Sequence, residues 1–430
     1  MSSAITKTQL ENGLTVLLKE MHHAPIATFM IWYRVGSRNE ISGRTGISHW
    51  VEHMMFKGTP TFPGATMERM ISREGGYWNA STGLDYTNYY ETMPSDRIDL
   101  ALRLEADRMV NTVMSLEEVE SERTVILSER SMYENQPSFL LDEELTAAAF
   151  RVHPYHHEII GDTADLRSMT REDLIAHYER HYSPTNAIIV IVGDFDTAGM
   201  LSRINELYGS IPGGEPTAPV IREEPPQAGE RRVAVNGPGD TAYLTYAYRV
   251  PGAMHPDYSA LTLFNAAFAG GSIVGGGSNR SSRLYKALVS TELAAGASGS
   301  LTSTIDPFLY TIRAVVRAGR TIPEVEAALE AELARLVDEP ITEAELAKAL
   351  KRARAQFIMA GESISGQARL IGATEAITGD YRWFVTTLDR LSEVTLEDIE
   401  RVRKQYLHPR NRTVGWYEPQ GGASEGVSTQ

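Results

Sequence analysis

The sequence predicts an α+β fold built as two related halves, and three observations carry that reading. The segment L-R-S-M-T-R-E-D-L (166–174) recurs as L-S-E-V-T-L-E-D-I (391–399). At the same offset Pro184 and Asn186 recur as Pro409 and Asn411, each pair leading into an apolar strand over 187–192 or 413–417. The first half carries both hairpin signals, at Asn12-Gly13 and around Gly83, and helical stretches, over 47–57 and from Ser115 to about Glu134. Residues 211–230 are rich in Pro, Gly and Glu and read as an interdomain linker, which divides the chain into 1–212, a linker at 213–230, and 231–430.

The elements follow in order. Asn12-Gly13 lies between Ile5–Leu10 and Leu14–Glu20 and predicts a tight hairpin, with a further strand over Ala27–Gly36. From Ile47 to Lys57 there is no glycine or proline, the apolar residues Ile47, Trp50, Val51, Met54 and Met55 can cover a buried helix, and Gly58-Thr59-Pro60 supplies a stop. Thr66 is placed to cap a short helix that Gly75-Gly76 ends. The aromatic and β-branched run 75–90, broken at Gly83, predicts a second hairpin. Ser115 and Glu118 form a capping box for a helix that runs to about Glu134. The starts of the two halves agree less closely, with Arg34-Val35 against Arg249-Val250 and Phe56-Lys57-Gly58 against Phe268-Ala269-Gly270.

The strongest chemical signal sits on the predicted helix over 47–57. His49 and His53 lie four apart and project from one face, the spacing that lets two imidazoles reach one metal ion. Glu52 precedes the second histidine, giving H-x-x-E-H, the inverse of the common zinc-hydrolase order. A core helix carrying two chance histidines would instead have to bury Glu52 without a partner, at a cost of several kcal/mol. A catalytic zinc site needs a third protein ligand beside an open position, and the chain has no cysteine. Glu122 and Glu129 are both candidates, because seven residues along a helix return to nearly the same face, and spacing does not choose between them. Under the weaker pairing of the halves, the positions of His49, Glu52 and His53 become Leu261, Phe264 and Asn265, so only the first half can hold the metal. The glycine-rich 270–283 lacks the ending of a phosphate-binding loop and reads as a mobile loop.

Composition bounds the function classes. The formal net charge of −15 over 430 residues excludes nucleic acid as the main partner, which would need a basic footprint. Without cysteine there are neither disulfides nor thiolate metal sites. The N-terminus lacks the apolar core of a secretory signal and no stretch has 18 apolar residues in a row, so the chain is expected to be soluble, without a membrane partner. The expected location is the cytoplasm, with the periplasm as the alternative if a signal has been removed.

These motifs together resemble the pitrilysin/insulinase-type zinc peptidases, the inverzincins, and among them the short two-domain kind that includes the mitochondrial processing peptidase β-subunit and its bacterial relatives. The resemblance runs through N-G-L-T-V-L-L-K-E, R-V-G-S-R-N-E, G-I-S-H-W-V-E-H-M-M-F-K-G-T, G-G-Y-W-N-A-S-T-G-L-D-Y-T-N-Y-Y, E-S-E-R-T-V-I-L-S-E and Y-S-P-T-N-A-I-I-V-I-V-G-D, nearly the whole chain. It implies two related domains, each a mainly antiparallel sheet packed with helices, the first catalytic and zinc-binding, the second without the metal motif. It implies one Zn²⁺ per chain held by His49, His53 and Glu129, with Glu52 as general base toward the hydrolytic water and Glu122 in a supporting role. It further implies that an extended peptide adds to a sheet edge at Trp78, Asn79, Ala80 and Ser81, with Asn79 placed for backbone contact.

One departure bears on function. Family members carry, after S-S-R-L-[FY] in the second half, an Arg and a Tyr seven apart that contact substrate; here Ser281-Ser282-Arg283-Leu284-Tyr285 is present but those two positions hold Val289 and Gly296. The expectation is therefore a zinc endopeptidase subunit acting on peptides or unfolded segments, in a heterodimer with a homologous chain that supplies the Arg and Tyr. The alternatives are a non-catalytic structural or assembly subunit, and a self-sufficient homodimeric peptidase in which Arg283 and Tyr285 take the place of the usual pair.

Overall fold

The computed structural model describes residues 4–272 and 279–420. Part of the glycine-rich stretch expected as a mobile loop, 273–278, lies outside the described residues. The strands of the first half are β1 (Thr6–Gln9), β2 (Thr15–Glu20), β3 (Ile26–Tyr33), β4 (Tyr77–Thr82), β5 (Thr87–Pro94) and β6 (Ala187–Gly193), and those of the second are β7 (Arg231–Pro238), β8 (Tyr243–Val250), β9 (Ala294–Leu301), β10 (Phe308–Val316) and β11 (Arg412–Gln420). They form a six-stranded sheet in the order β1-β2-β6-β3-β5-β4 and a five-stranded sheet in the order β7-β11-β8-β10-β9. In each sheet one pair is parallel, β2 with β6 and β7 with β11, and the rest are antiparallel. Setting β2, β6, β3, β5 and β4 against β7, β11, β8, β10 and β9 reproduces both order and direction. The repeat read from two short segments is thus a repeat of the whole sheet, with β1 added in the first.

The helices of the first half are α1 (Ile47–Met55), α2 (Gly64–Arg73), α3 (Asp99–Asn111), α4 (Leu116–Glu134), α5 (Pro137–Ala149), α6 (Thr163–Ser168), α7 (Arg171–His181) and α8 (Thr197–Tyr208). The second half carries α9 (Tyr258–Phe268), α10 (Ile322–Asp338), α11 (Glu343–Ala360), α12 (Ile364–Thr378), α13 (Arg382–Val385), α14 (Thr387–Ser392) and α15 (Leu396–Tyr406). The recurring T-x-x-D is a capping box in both places, Thr170 with Asp173 on α7 and Thr395 with Asp398 on α15. Among the described residues no helix is long and apolar enough to cross a membrane.

The chain divides into two compact units that each draw on both halves. Residues 1–130, 157–223 and 358–386 make one, and 131–156, 224–357 and 387–430 the other. The first unit therefore includes α12, which lays Ala368, Ile371 and Ala376 on Leu17, Met30, Trp32, Ile188, Val190 and Val192 of the six-stranded sheet. Gly372 allows that approach, since a Cβ there would sit 2.1 Å from Trp32 Nε1. The second unit includes α5, which packs on β7 and β11. Residues 212–230 carry no helix or strand, and Glu224 accepts from the backbone N–H of Arg151, Val152 and His153 at 2.9, 2.8 and 3.1 Å.

Two caps differ from expectation. Pro63 rather than Thr66 sits at the N-cap of α2, and the Thr66 hydroxyl donates to the Pro63 carbonyl (2.7 Å) instead of accepting from the helix. Ser115 Oγ does accept from Glu118 N (3.2 Å), but the Glu118 carboxylate turns to Lys57 Nζ at 3.3 Å.

Candidate metal centre

Helix α1 is held at its N-terminus by a carboxylate from outside the helix. Its N-cap is Gly46, left-handed at φ +85°, where a Cβ would meet Ile160 O at 2.3 Å. With no side chain there to cap, buried Glu40 accepts from Gly46 N and Ser48 N, both at 2.8 Å. Burial pushes the Glu40 carboxyl up to about 8 against those two donors. The buried face of α1 includes Trp50, Val51, Glu52, Met54 and Met55, which fixes where the two histidines emerge.

His49 and His53 lie with ring centroids 4.6 Å apart, and their Nε2 atoms are 3.8 and 3.6 Å from Glu129 Oε2 on α4. One ligand atom from each of the three lies within 4.8 Å of the others. A tetrahedral zinc with bonds of about 2.0–2.2 Å separates its ligands by roughly 3.3–3.6 Å, so this donor set of two imidazoles and a carboxylate fits such an ion. Burial, then the neighbouring His53, pushes His49 down to about 3, which keeps its imidazole neutral. Burial opposes the charged form of His53, yet the bond from its Nδ1 to Glu122 Oε1 (2.7 Å) and that carboxylate's charge carry the balance upward. His49 Nδ1 is buried and, among the described residues, has no hydrogen-bond partner.

Glu122 does not face the same point as Glu129. Its Oε1 is taken by His53 and its Oε2 by Lys57 Nζ at 2.5 Å; burial raises its pKa, but these two donors hold it below the ordinary carboxylate value. Glu52 is 8% exposed, and its Oε2 accepts from Thr82 Oγ1 (2.5 Å) at the end of β4. Burial raises the Glu52 pKa, with the Thr82 bond acting against it.

Strand β4 carries the four residues expected to meet substrate, and the sheet order ends on it, so its outer side is an edge. Trp78 faces Phe56 edge-on (4.8 Å), with the buried Arg108 guanidinium 5.4 Å from its ring. Asn79 and Ser81 are exposed and Ala80 is half-buried. Asn79 Oδ1 accepts from Ala80 N (2.8 Å), and Ser81 Oγ donates to Asn88 Oδ1 (2.6 Å).

In the second unit, α9 buries Leu261, Phe264 and Asn265 where α1 carries His49, Glu52 and His53. Arg283 is bound in place: Nε and Nη2 donate to Glu345 Oε1 and Oε2 at 2.7 Å, and two more bonds reach the carbonyls of Glu339 and Pro340 at 2.5 and 2.8 Å. Val289 closes a π-helical turn, and Gly296 lies on β9 opposite Val315.

Two models of one family match along the chain, insulinase (peptidase family M16) over residues 15–163 and the peptidase M16 inactive domain over 168–353. The chain belongs to the insulinase family of peptidases. A zinc protease of Mycobacterium leprae is 28% identical over 415 residues, 95% of this chain and 91% of its own length. A probable mitochondrial-processing peptidase subunit beta of Arabidopsis thaliana is 28% identical over 76% of this chain and 62% of its own. The crystal structure of a protease from Helicobacter pylori superimposes with a TM-score of 0.92 at 26% identity, covering 97% of this chain and all of that one. As an insulinase-family chain, this one carries H-x-x-E-H in the stretch matched by the first model, and Leu261, Phe264 and Asn265 in the stretch matched by the inactive domain.

Sequence reasoning missed Lys57, Thr82 and Glu40. Lys57 stands four residues after His53, as His53 stands after His49, so the helical face already pointed to it. Thr82 closes the quoted Y-W-N-A-S-T, whereas no spacing rule connects Glu40 to the start of α1.

Proposed function

We propose that this chain is the metal-bearing subunit of a zinc endopeptidase that cleaves peptides or unfolded segments. One observation carries the reading: Glu52, held by Thr82, projects from the same helix as two imidazoles whose Nε2 atoms face Glu129. His49, His53 and Glu129 would hold one zinc, which supplies a Lewis acid for water and carbonyl. Glu52 takes the proton of the attacking water and delivers it to the leaving amine, and its burial raises its basicity for that work. An extended substrate adds to the free side of β4 along Trp78–Ser81, where backbone pairing binds without strong sequence choice. Asn79 must then exchange its bond to Ala80 N for one to substrate.

The partner part of the proposal rests on the second half. Val289 and Gly296 offer no side-chain donor, and Arg283 is committed to Glu345 and two carbonyls, which speaks against the self-sufficient homodimer. Oxyanion donors contribute on the order of 10²–10³ in rate, so the chain alone is expected to bind zinc and cleave slowly. A homologous chain that carries the Arg and Tyr should raise turnover by at least that factor; the relative named as a subunit is consistent with such pairing. The test is peptide cleavage by the zinc-loaded chain with and without that partner. Full activity alone, unchanged on addition, would favour the homodimer.

A further inference from the structure

Two glutamates on α4 reach the neighbourhood of the histidines, and the arrangement that separates their roles depends on a residue outside the H-x-x-E-H motif. Glu122 and Glu129 lie two helical turns apart on one face, so either could approach a metal on helical geometry alone. Lys57 follows α1 closely, with its backbone N bonded to Met54 O at 3.0 Å, which points its side chain at the N-terminal part of α4. There Nζ lies 2.5 Å from Glu122 Oε2 and 3.3 Å from Glu118 Oε2. With Oε1 accepting from His53 Nδ1, both oxygens of Glu122 are occupied by donors, whereas Glu129 Oε2 faces the two Nε2 atoms.

We propose that Lys57 is a positioning residue that commits Glu122 to His53 Nδ1 and thereby leaves Glu129 as the glutamate that reaches the metal. The inference rests on the zinc reading above. Without the ammonium group, Glu122 has one oxygen with no partner in a buried setting, at 6% exposure, which loosens its hold on His53 or turns it toward the zinc that His53 would hold. Either outcome, a loosened His53 or a changed ligand set, alters the metal rather than the fold. The Lys57 side chain is a quarter exposed and lies beyond the last residue of α1, so removing its charge leaves the buried face of that helix intact.

The experiment uses the full chain and two readouts, the zinc dissociation constant by chelator competition and the visible spectrum of the cobalt-substituted protein. Lys57→Met is expected to weaken zinc about 10-fold, within the range known for partners of ligating histidines, and to shift the cobalt bands. Lys57→Arg should stay within a few-fold of the parent. In a Glu122→Gln background the same Lys57→Met change should have no more than a twofold effect, because Lys57 acts through Glu122. Glu118→Gln, which removes the other partner of Lys57, should leave both readouts unchanged. Parent-like affinity and spectrum in Lys57→Met would overturn the proposal, as would an equal loss in the presence and absence of the Glu122 carboxylate. If the parent chain itself binds no zinc, or binds it equally well as His49→Ala/His53→Ala, then the zinc reading fails, a result separable from failure of the Lys57 role.

Discussion

His53 uses its two nitrogens for different purposes, and the difference shows how a short motif depends on its surroundings. Nδ1 bonds to Glu122 and Nε2 looks toward Glu129, so the ring is oriented by one glutamate for a site it shares with the other. The spacing of His49, Glu52 and His53 was readable because an α-helix places i and i+4 on one face. Spacing alone left Glu122 and Glu129 open and only the family resemblance pointed to Glu129; in three dimensions both oxygens of Glu122 meet other donors, His53 and Lys57. Glu52 yields a prediction with a definite sign. The Thr82 bond stabilises the ionised carboxylate, so Thr82→Val should raise the Glu52 pKa further. A general base works ionised, hence the acid limb of kcat/KM should move to higher pH, with activity lost earlier as pH falls. A pH profile measured on both proteins at saturating zinc checks this; an unmoved or downward-shifted limb would contradict the role given to Thr82.

At the scale of elements, α1 borrows its cap from another part of the chain. Gly46 in the left-handed region brings the chain against Ile160 O, and Glu40 satisfies the N–H groups of Gly46 and Ser48 that the helix leaves open. Glu40→Ala should therefore cost about 1–2 kcal/mol of stability in urea unfolding, comparable to the loss of a good N-cap. A change within a few tenths of a kcal/mol would show that water replaces the carboxylate without cost. The hairpins at Asn12-Gly13 and Gly83 were legible because each is a local rule, settled by a few adjacent residues, whereas the T-x-x-D segments were read only as a repeat and prove to be capping boxes as well. Thr66 was misread for the converse reason. A threonine near a helix start can accept from the helix or donate back to it, and Pro63, one turn earlier, took the N-cap and its carbonyl took the hydroxyl.

The whole molecule carries a feature that no local pattern announces: each compact unit contains a helix from the opposite half of the chain. The repeat 166–174 and 391–399 shows that the halves are related, yet relatedness does not say which sheet α5 or α12 will cover. Residues 1–212 expressed alone would expose Leu17, Met30, Trp32, Ile188, Val190 and Val192, which α12 covers in the whole chain. Each large apolar side chain so exposed forfeits about 1.5–3 kcal/mol. That fragment should be unfolded or aggregated by itself and recover a cooperative transition when mixed with 213–430; a stable, monomeric 1–212 with a sharp transition would contradict the dependence. The central claim, that Glu52 beside a zinc held by His49, His53 and Glu129 performs peptide hydrolysis, is tested most directly by Glu52→Gln, which removes the base and no ligand. With zinc content equal to the parent and the homologous partner present, the variant should cleave an unstructured peptide at least 10²-fold more slowly, the lower end of what a positioned base contributes. Turnover equal to the parent at equal zinc would contradict it.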